Sequence, residues 1–277
     1  MIKGAAQVVM ETVGVVGLGK MGLPIAAHIK KAGFKVLGYD VVDAARQAGS
    51  AEGITISDDL SKLARESDLV IIFVAYDSQV EEVLFTSGGL VDHARPTTIF
   101  AVGSTIAPSA MLSFAKRLAA AGFVAIDIPN CRGEAAAKAG TLLITGGGEE
   151  EAFERCRPVL EAFSDSIHRL GPAGAGQVGK MINNLTMWAC ISINAEAAKL
   201  ASLYDMDLLS LRSMLLESSA QNWALRNVEA SLPLPWAEKD MMMVLDEADK
   251  LRLSVPLSGV IKEVIKAVKI ERGDQRA

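Results

Sequence analysis

Apolar residues change their spacing once along this chain, near residue 171. Before that point, short runs in which nearly every position is apolar alternate with stretches whose apolar residues lie three and four apart. Such runs suit strands buried on both faces of a parallel sheet, and the stretches between them suit helices. The pattern predicts strands over 13–16, 35–39, 69–75, 97–102, 124–128, 142–145 and 167–170. Helices are expected over 21–31, 58–65 with Asp58 as cap, 78–84, 107–121 and 149–163. Pro108 falls in the first turn of its helix, where a missing N–H costs nothing. Gly146-Gly147-Gly148 reads as a plain turn, because no lysine-serine or lysine-threonine pair follows to make a phosphate loop. Alternating elements with short connections predict an α/β, Rossmann-type doubly wound sheet.

Beyond Gly171-Pro172-Ala173-Gly174 the spacing is helical throughout. One long apolar pattern covers 177–204, and further helices are expected over 207–218, 223–229, 239–251 and 256–272. The expected organisation is therefore a dinucleotide-binding domain over 12–171 and an all-helical domain over 172–277 that includes the long interdomain helix. The first dozen residues read as a frayed leader. A helix apolar almost all round must be buried, and one chain offers limited cover, so a homodimer or higher homo-oligomer is expected.

Composition narrows the partners. Half of the 277 residues are hydrophobic and the net charge is −5. With no basic run or basic helix face, neither a nucleic acid nor an anionic membrane is an expected partner. Cys131, Cys156 and Cys190 form no C-x-x-C and have no partnering histidines, which fits a reducing compartment and offers no metal site. No apolar run approaches the ~20 residues of a membrane span, and the N-terminus lacks the pattern of a signal peptide. A soluble, cytoplasmic protein is expected.

The chemistry begins at Gly17-Leu18-Gly19-Lys20-Met21-Gly22, a G-x-G-x-x-G turn between the first strand and its helix. In such a turn the glycines provide the tight bend, close approach to a pyrophosphate and close packing of helix on strand. The helix that follows directs its positive end at the phosphate. Asp40 ends the second strand, where a carboxylate accepts both ribose hydroxyls of an adenosine. The acid repels a 2′-phosphate, and Val41-Val42 supply no arginine to receive one, so NAD is favoured over NADP. Arg46, the nearest basic residue, is expected on the solvent face of the next helix. Lys180 and Asn184 lie four residues apart on one face of the long helix. A lysine in that apolar setting suits proton exchange with a substrate hydroxyl, and Asn184 suits orienting it. The residues alone leave equally open a lysine that extends its ammonium to solvent.

Several motifs together resolve that choice. The glycine turn, Gly103-Ser104-Thr105-Ile106-Ala107-Pro108, Asp127-x-Pro129, Gly140-Thr141-Leu142, Gly174-x-Gly176-Gln177-x-x-Lys180-x-x-Asn183-Asn184 and Lys239-Asp240 occur in this order. In that order the chain resembles the β-hydroxyacid dehydrogenases, from about Val13 to Val268. That family includes 3-hydroxyisobutyrate dehydrogenase and tartronate semialdehyde reductase. The resemblance implies a Rossmann domain, a helical C-terminal domain, and oxidation of a small 3-hydroxy acid or reduction of its semialdehyde. It implies Lys180 as catalytic acid/base and Asn184 as its partner. It also implies Ser104 and Thr105 along the nicotinamide ribose, and Lys239 reaching over the cofactor.

One turn departs from the family. After its strand proline the family shows a serine and two glycines, whose amides hold the substrate carboxylate; here Cys131, Arg132 and Gly133 stand in those places. Arginine adds five donors and a permanent charge suited to a small anionic substrate, and a comparable arginine appears in the branch resembling sulfolactaldehyde reductases. The plainer reading pairs Arg132 with Glu134 or Glu149 at the surface. Cys131 is read as a packed residue rather than a nucleophile, and Trp223 and Trp236 as core aromatics before pocket walls. An imine reductase is the alternative on the same scaffold, though its relatives usually replace the lysine. A 6-phosphogluconate dehydrogenase would need a longer helical domain. A catalytically silent nucleotide-binding module would be expected to lose Lys180 or the glycines.

Overall fold

Alternation along the strands builds a sheet with two buried faces. In the computed structural model, which describes residues 10–227 and 236–271, β1 (Thr12–Val16) turns Val13 and Val15 to one apolar cluster and Val16 to another. β4 (Leu69–Ile72) and β5 (Ile99–Val102) divide in the same way: Leu69, Ile71, Ile99 and Ala101 face one side, Val70, Ile72, Phe100 and Val102 the other. With β2 (Lys35–Tyr39), β3 (Thr55–Ile56) and β6 (Val124–Asp127) they form a parallel sheet in the order β3-β2-β1-β4-β5-β6. β8 (Leu142–Gly147) pairs antiparallel with β6 at Asp127 and Gly147. It also pairs antiparallel with β7 (Asn130–Cys131) and parallel with β9 (Ser164–Gly171).

Helices cover both faces, as a doubly wound sheet requires. They are α1 (Gly22–Lys31), α2 (Asp43–Ala51), α3 (Leu60–Glu66), α4 (Asp77–Phe85), α5 (Leu90–His93), α6 (Pro108–Ala120), α7 (Gly133–Ala139) and α8 (Glu150–Leu160). α9 (Ala175–Ser202) follows, and the chain divides within it into compact units ending at Lys180 and beginning at Met181. The second unit continues with α10 (Leu208–Glu217), α11 (Trp223–Arg226), α12 (Ala237–Lys250) and α13 (Pro256–Glu271), and no strand occurs among its described residues. Its core gathers Trp188, Ala237, Met241, Ile261 and Ile265, with the Trp188 indole donating to Asp240 at 3.0 Å. No helix among the described residues is long and apolar enough to cross a membrane.

Several boundaries differ from the expected ones for identifiable reasons. Asp59, not Asp58, caps α3, accepting from the Lys62 amide at 2.7 Å. β4 stops at Ile72 although the apolar run continues: the Phe73 amide still donates to the Val16 carbonyl at 2.7 Å, and its carbonyl then turns against Gly17. Gly146 and Gly147 are not a turn; they are the last residues of β8, paired with β9. β3, α5, β7 and α7 were not anticipated, being too short to show a period. The leader reading of residues 1–9, together with Glu229, Pro235 and Arg272, lies outside the described residues.

The glycine turn explains itself atom by atom. Gly17 has φ +91°, and a Cβ there would fall on the Phe73 carbonyl oxygen. A Cβ on Gly22 would fall on the Gly17 carbonyl oxygen. Both glycines are thus demanded by packing inside the protein. Gly19 is different: a Cβ there would meet nothing within 4 Å. Packing gives no reason for the third glycine, whereas close approach of a phosphate does. We therefore expect Gly22→Ala to destabilise the apoprotein by about 2 kcal/mol or more. Gly19→Ala should change stability by less than about 0.5 kcal/mol yet weaken dinucleotide binding. Urea denaturation and a fluorescence titration with NADH measure the two effects, and equal destabilisation by both substitutions would refute the distinction.

Candidate active site

The C-terminal edge of the parallel sheet, where open α/β sheets bind ligands, collects most of the residues singled out in the sequence. Asp40 follows β2 and holds its carboxylate across the turn. One oxygen accepts from the Leu18 amide at 2.7 Å and the other from the Val42 amide at 2.8 Å. Each oxygen retains acceptor capacity for a ribose hydroxyl. Leu18 itself is buried, so it offers a cofactor main chain rather than side chain. Met21 packs against the core, and Lys20 is exposed and paired with Glu134 at 3.1 Å. No side chain caps α1 and no acid lies in its first turn, which leaves its positive end to a ligand. Arg46 is not simply on the solvent face. It folds back to donate to the Asp40 carbonyl at 2.6 Å and pairs with Asp43.

Ser104 follows β5 and is buried. Its hydroxyl accepts from the Val74 amide at 2.8 Å and donates to the Ile72 carbonyl at 3.3 Å, tying the ends of β4 and β5 together. Thr105 beside it is half-buried.

The start of α9 is fastened to the same edge by a buried polar cluster. Asp127, at the end of β6 and 0% exposed, accepts from the Gly174 amide at 2.7 Å and from the Gln177 amide at 2.8 Å. Burial pushes its pKa up, and these amide bonds pull it back. The carboxylate fits only because its neighbours are glycines: a Cβ on Gly147 would lie 2.5 Å from one oxygen and a Cβ on Gly176 2.6 Å from the other. The Gln177 side chain, 1% exposed, accepts from the Ile106 amide at 3.1 Å and donates to the Ser104 carbonyl at 2.8 Å. Thr145 on β8 donates toward the Gly176 carbonyl at 3.0 Å. One helical turn beyond Gln177 stands Lys180, half-buried. Burial raises the pKa of the Cys131 thiol, while the positive charges of Lys180 and Arg132 oppose that rise. Lys180 and the turn after β6 therefore lie within electrostatic reach of each other.

That turn has an unusual backbone. Arg132 adopts φ +80°, in the left-handed region, and Gly133 follows at φ +74° before entering α7. The family's glycine preference at residue 132 matches this conformation, and arginine adopts it here at some cost in strain. The Arg132 guanidinium is 2.5 Å from Asp165 on β9 and donates to the Thr141 carbonyl at 2.8 Å. The expected acidic partners, Glu134 and Glu149, are thus corrected to Asp165.

In the helical unit, Asn184 is buried and accepts from the Asn183 amide group at 3.1 Å. On the continuous helix α9 it stands four residues after Lys180. Lys239, in the first turn of α12, places its ammonium 5.6 Å from the centre of the Trp236 ring. Trp223 and Trp236 are about half exposed, so neither is a core aromatic. Among the described residues no cluster of histidine, cysteine or carboxylate side chains could hold a metal ion.

Asp127, Gln177 and Thr145 were not singled out as functional in the sequence, although the first two sit inside motifs quoted there. The available signal was a glutamine at the buried start of an apolar helix, which demands polar partners. Which partners it finds depends on strand ends far away in the chain.

Comparison with known proteins is consistent along the whole chain. Residues 12–171 match the family described as the NAD binding domain of 6-phosphogluconate dehydrogenase. Residues 174–277 match the one described as NAD-binding of NADP-dependent 3-hydroxyisobutyrate dehydrogenase. The chain is 30% identical to a 3-hydroxyisobutyrate dehydrogenase of Pseudomonas aeruginosa, with 92% of this chain and 91% of that protein aligned. It is 33% identical to an NAD-dependent L-serine dehydrogenase of the same species over 78% of this chain and 72% of that one. A solved structure of Mycobacterium tuberculosis 3-hydroxyisobutyrate dehydrogenase with L-serine superimposes with a TM-score of 0.87 at 25% identity, covering 96% of each chain.

Proposed function

The chain belongs to the β-hydroxyacid dehydrogenase family of NAD(P)-dependent enzymes, and from that premise we propose that it interconverts a small 3-hydroxy acid and its semialdehyde with Lys180 as acid and base. The observation that carries this reading is the fastening of the start of α9, which bears Lys180, to the ends of β5 and β6 through Gln177. Serine and 3-hydroxyisobutyrate, named for the relatives, are both short 3-hydroxy acids, which supports that substrate class. We assign 12–171 to dinucleotide binding and 172–277 to the helical domain.

A bound nicotinamide dinucleotide would supply the hydride acceptor. Its holders in this chain are the main chain of Gly17 to Gly22, the Asp40 carboxylate, Ser104, Thr105 and Lys239. In the oxidative direction Lys180 takes the proton from the substrate hydroxyl as the carbon bearing it loses hydride. The resulting ammonium returns that proton to the carbonyl oxygen in reduction. Asn184 orients the reacting oxygen or the lysine. The amides of the Cys131–Gly133 turn, aided by the Arg132 charge, hold the substrate's anionic group. NAD is the preferred cofactor on this reading. Asp40 presents a carboxylate fixed by two amides, and the charge of Arg46 is countered by Asp43. Ile182, Ile193 and Leu200 of α9, and Leu203 just after it, are more than half exposed in the single chain, which supports a homodimer or higher homo-oligomer.

Three measurements test these assignments. Lys180→Ala should lower kcat by at least about 100-fold while NADH still binds; a loss below tenfold, about 1.4 kcal/mol of barrier, would remove Lys180 from the acid/base role. The unaltered enzyme should favour NAD over NADP by about tenfold or more in kcat/KM, about 1.4 kcal/mol. Asp40→Ala combined with Val41→Arg should weaken or invert that preference, and equal use of both cofactors by the unaltered enzyme would contradict the assignment. Arg132→Gly should raise KM for an anionic 3-hydroxy acid by about tenfold, the loss of one charge-assisted hydrogen bond, with cofactor affinity unchanged. If discrimination between anionic and neutral analogues is untouched, the guanidinium serves only its bond to Asp165.

A further inference from the structure

We propose that Gln177 is a positioning residue for Lys180, a bolt that locks the turn carrying the lysine to the loop after β5. The inference rests on the acid/base assignment of Lys180. Its primary amide uses both ends. The carbonyl oxygen accepts from the Ile106 N–H at 3.1 Å, and the NH2 donates to the Ser104 carbonyl at 2.8 Å. A side chain bonded at both ends to backbone groups of one loop has a single orientation, unlike a side chain held by one contact. The loop it grips is itself immobilised, since the Ser104 hydroxyl bridges the Val74 amide and the Ile72 carbonyl. The main chain of Gln177 is pinned separately, its amide donating to buried Asp127 at 2.8 Å. Side chain and main chain thus fix the same residue to the ends of two neighbouring strands, β5 and β6.

Lys180 is three residues further along α9, on the adjoining part of the same helical face. Rotation or translation of that first turn would carry the ammonium away from the Cys131 turn, where its charge is felt. Small displacements matter in such a site, because a misplacement of about 1 Å has been worth about 100-fold in rate. The loop gripped by Gln177 contains Ser104 and Thr105, which the proposed function puts beside the nicotinamide ribose. Gln177 therefore ties the proton carrier to the cofactor's surroundings through one amide, without touching substrate or cofactor itself.

The test is a double-mutant cycle. Gln177→Met keeps the volume and removes both hydrogen bonds. Turnover is measured with the best substrate in a panel that includes L-serine and 3-hydroxyisobutyrate, and NADH binding is followed by fluorescence. With Lys180 present, Gln177→Met should lower kcat by about tenfold or more while NADH remains bound. In a Lys180→Ala background the same change should alter the residual rate by less than about twofold, because there is no longer a lysine to misplace. Equal losses in the two backgrounds would make Gln177 merely structural and overturn the inference, as would an unchanged kcat with Lys180 present. If Lys180→Ala alone is nearly as active as the parent, it is the acid/base assignment that fails. Hydrogen exchange in the apoprotein gives a readout independent of turnover. Peptides covering 103–107 and 174–181 should lose protection together in Gln177→Met, with β1 unaffected; unchanged protection of both would count against the bolt. Should Gln177→Met not fold, Gln177→Glu, which keeps an oxygen to accept from the Ile106 amide but loses the NH2 that donates to the Ser104 carbonyl, is carried through the same cycle with the same expected outcomes.

Discussion

A buried carboxylate at the end of β6 fastens the start of α9 to the sheet. Asp127 has no exposure to solvent, and its two oxygens close on two backbone amides that precede and begin α9. A charge so placed is costly to desolvate, and charge-assisted hydrogen bonds worth about 1.5–3 kcal/mol each offset that cost. Removing the carboxylate would strand two buried N–H groups, at about 1–3 kcal/mol apiece. The arrangement also dictates sequence around it. Gly147 and Gly176 are glycines because any side chain there would displace the carboxylate, and Gln177 follows because the turn must also be joined to the loop after β5. Lys180 inherits its place from these constraints.

The cofactor half follows a different logic. Two glycines of the turn are required by the protein's own packing against Phe73 and against each other, and the third only by the space in front of it. Asp40 then links the far side of that space back to the turn through the Leu18 amide. Turn and acid thus form one hydrogen-bonded unit, so the position of the Asp40 carboxylate depends on the geometry of the glycine turn. Ser104 performs the corresponding service between β4 and β5. The cofactor edge and the lysine helix meet at this residue, whose hydroxyl faces one and whose carbonyl faces the other.

On the proposed function, substrate choice falls to the turn after β6. Its backbone takes the left-handed course at Arg132 although the residue is not glycine, and the side chain there adds a cation. That cation is not idle: Asp165 and the Thr141 carbonyl hold it. An anionic substrate would have to compete with, or share, the guanidinium that Asp165 holds. The chain's overall negative charge gives no help at longer range. Selection of an anion by this turn, on the proposed function, would therefore be a local matter.

The sequence by itself determined the alternating sheet, the glycine turn, the acid at the end of β2 and the helical remainder, because each is written in local periodicity or in residues close together in the chain. It also placed Lys180 and Asn184 one turn apart, since helix spacing is a local property. Short elements such as β3, β7 and α7 escaped it, having too few residues to show a period. Gly146-Gly147 read as a turn because only the neighbouring β9 makes a strand of them. What tertiary structure alone decided were the partners: Asp165 for Arg132, the Asp40 carbonyl for Arg46, and Gln177 for the loop after β5. These pairs are separated by up to 73 residues in the chain. A polar side chain's need for a partner is fixed by its chemistry, but which partner lies within 3 Å is settled only when the strands have been brought edge to edge.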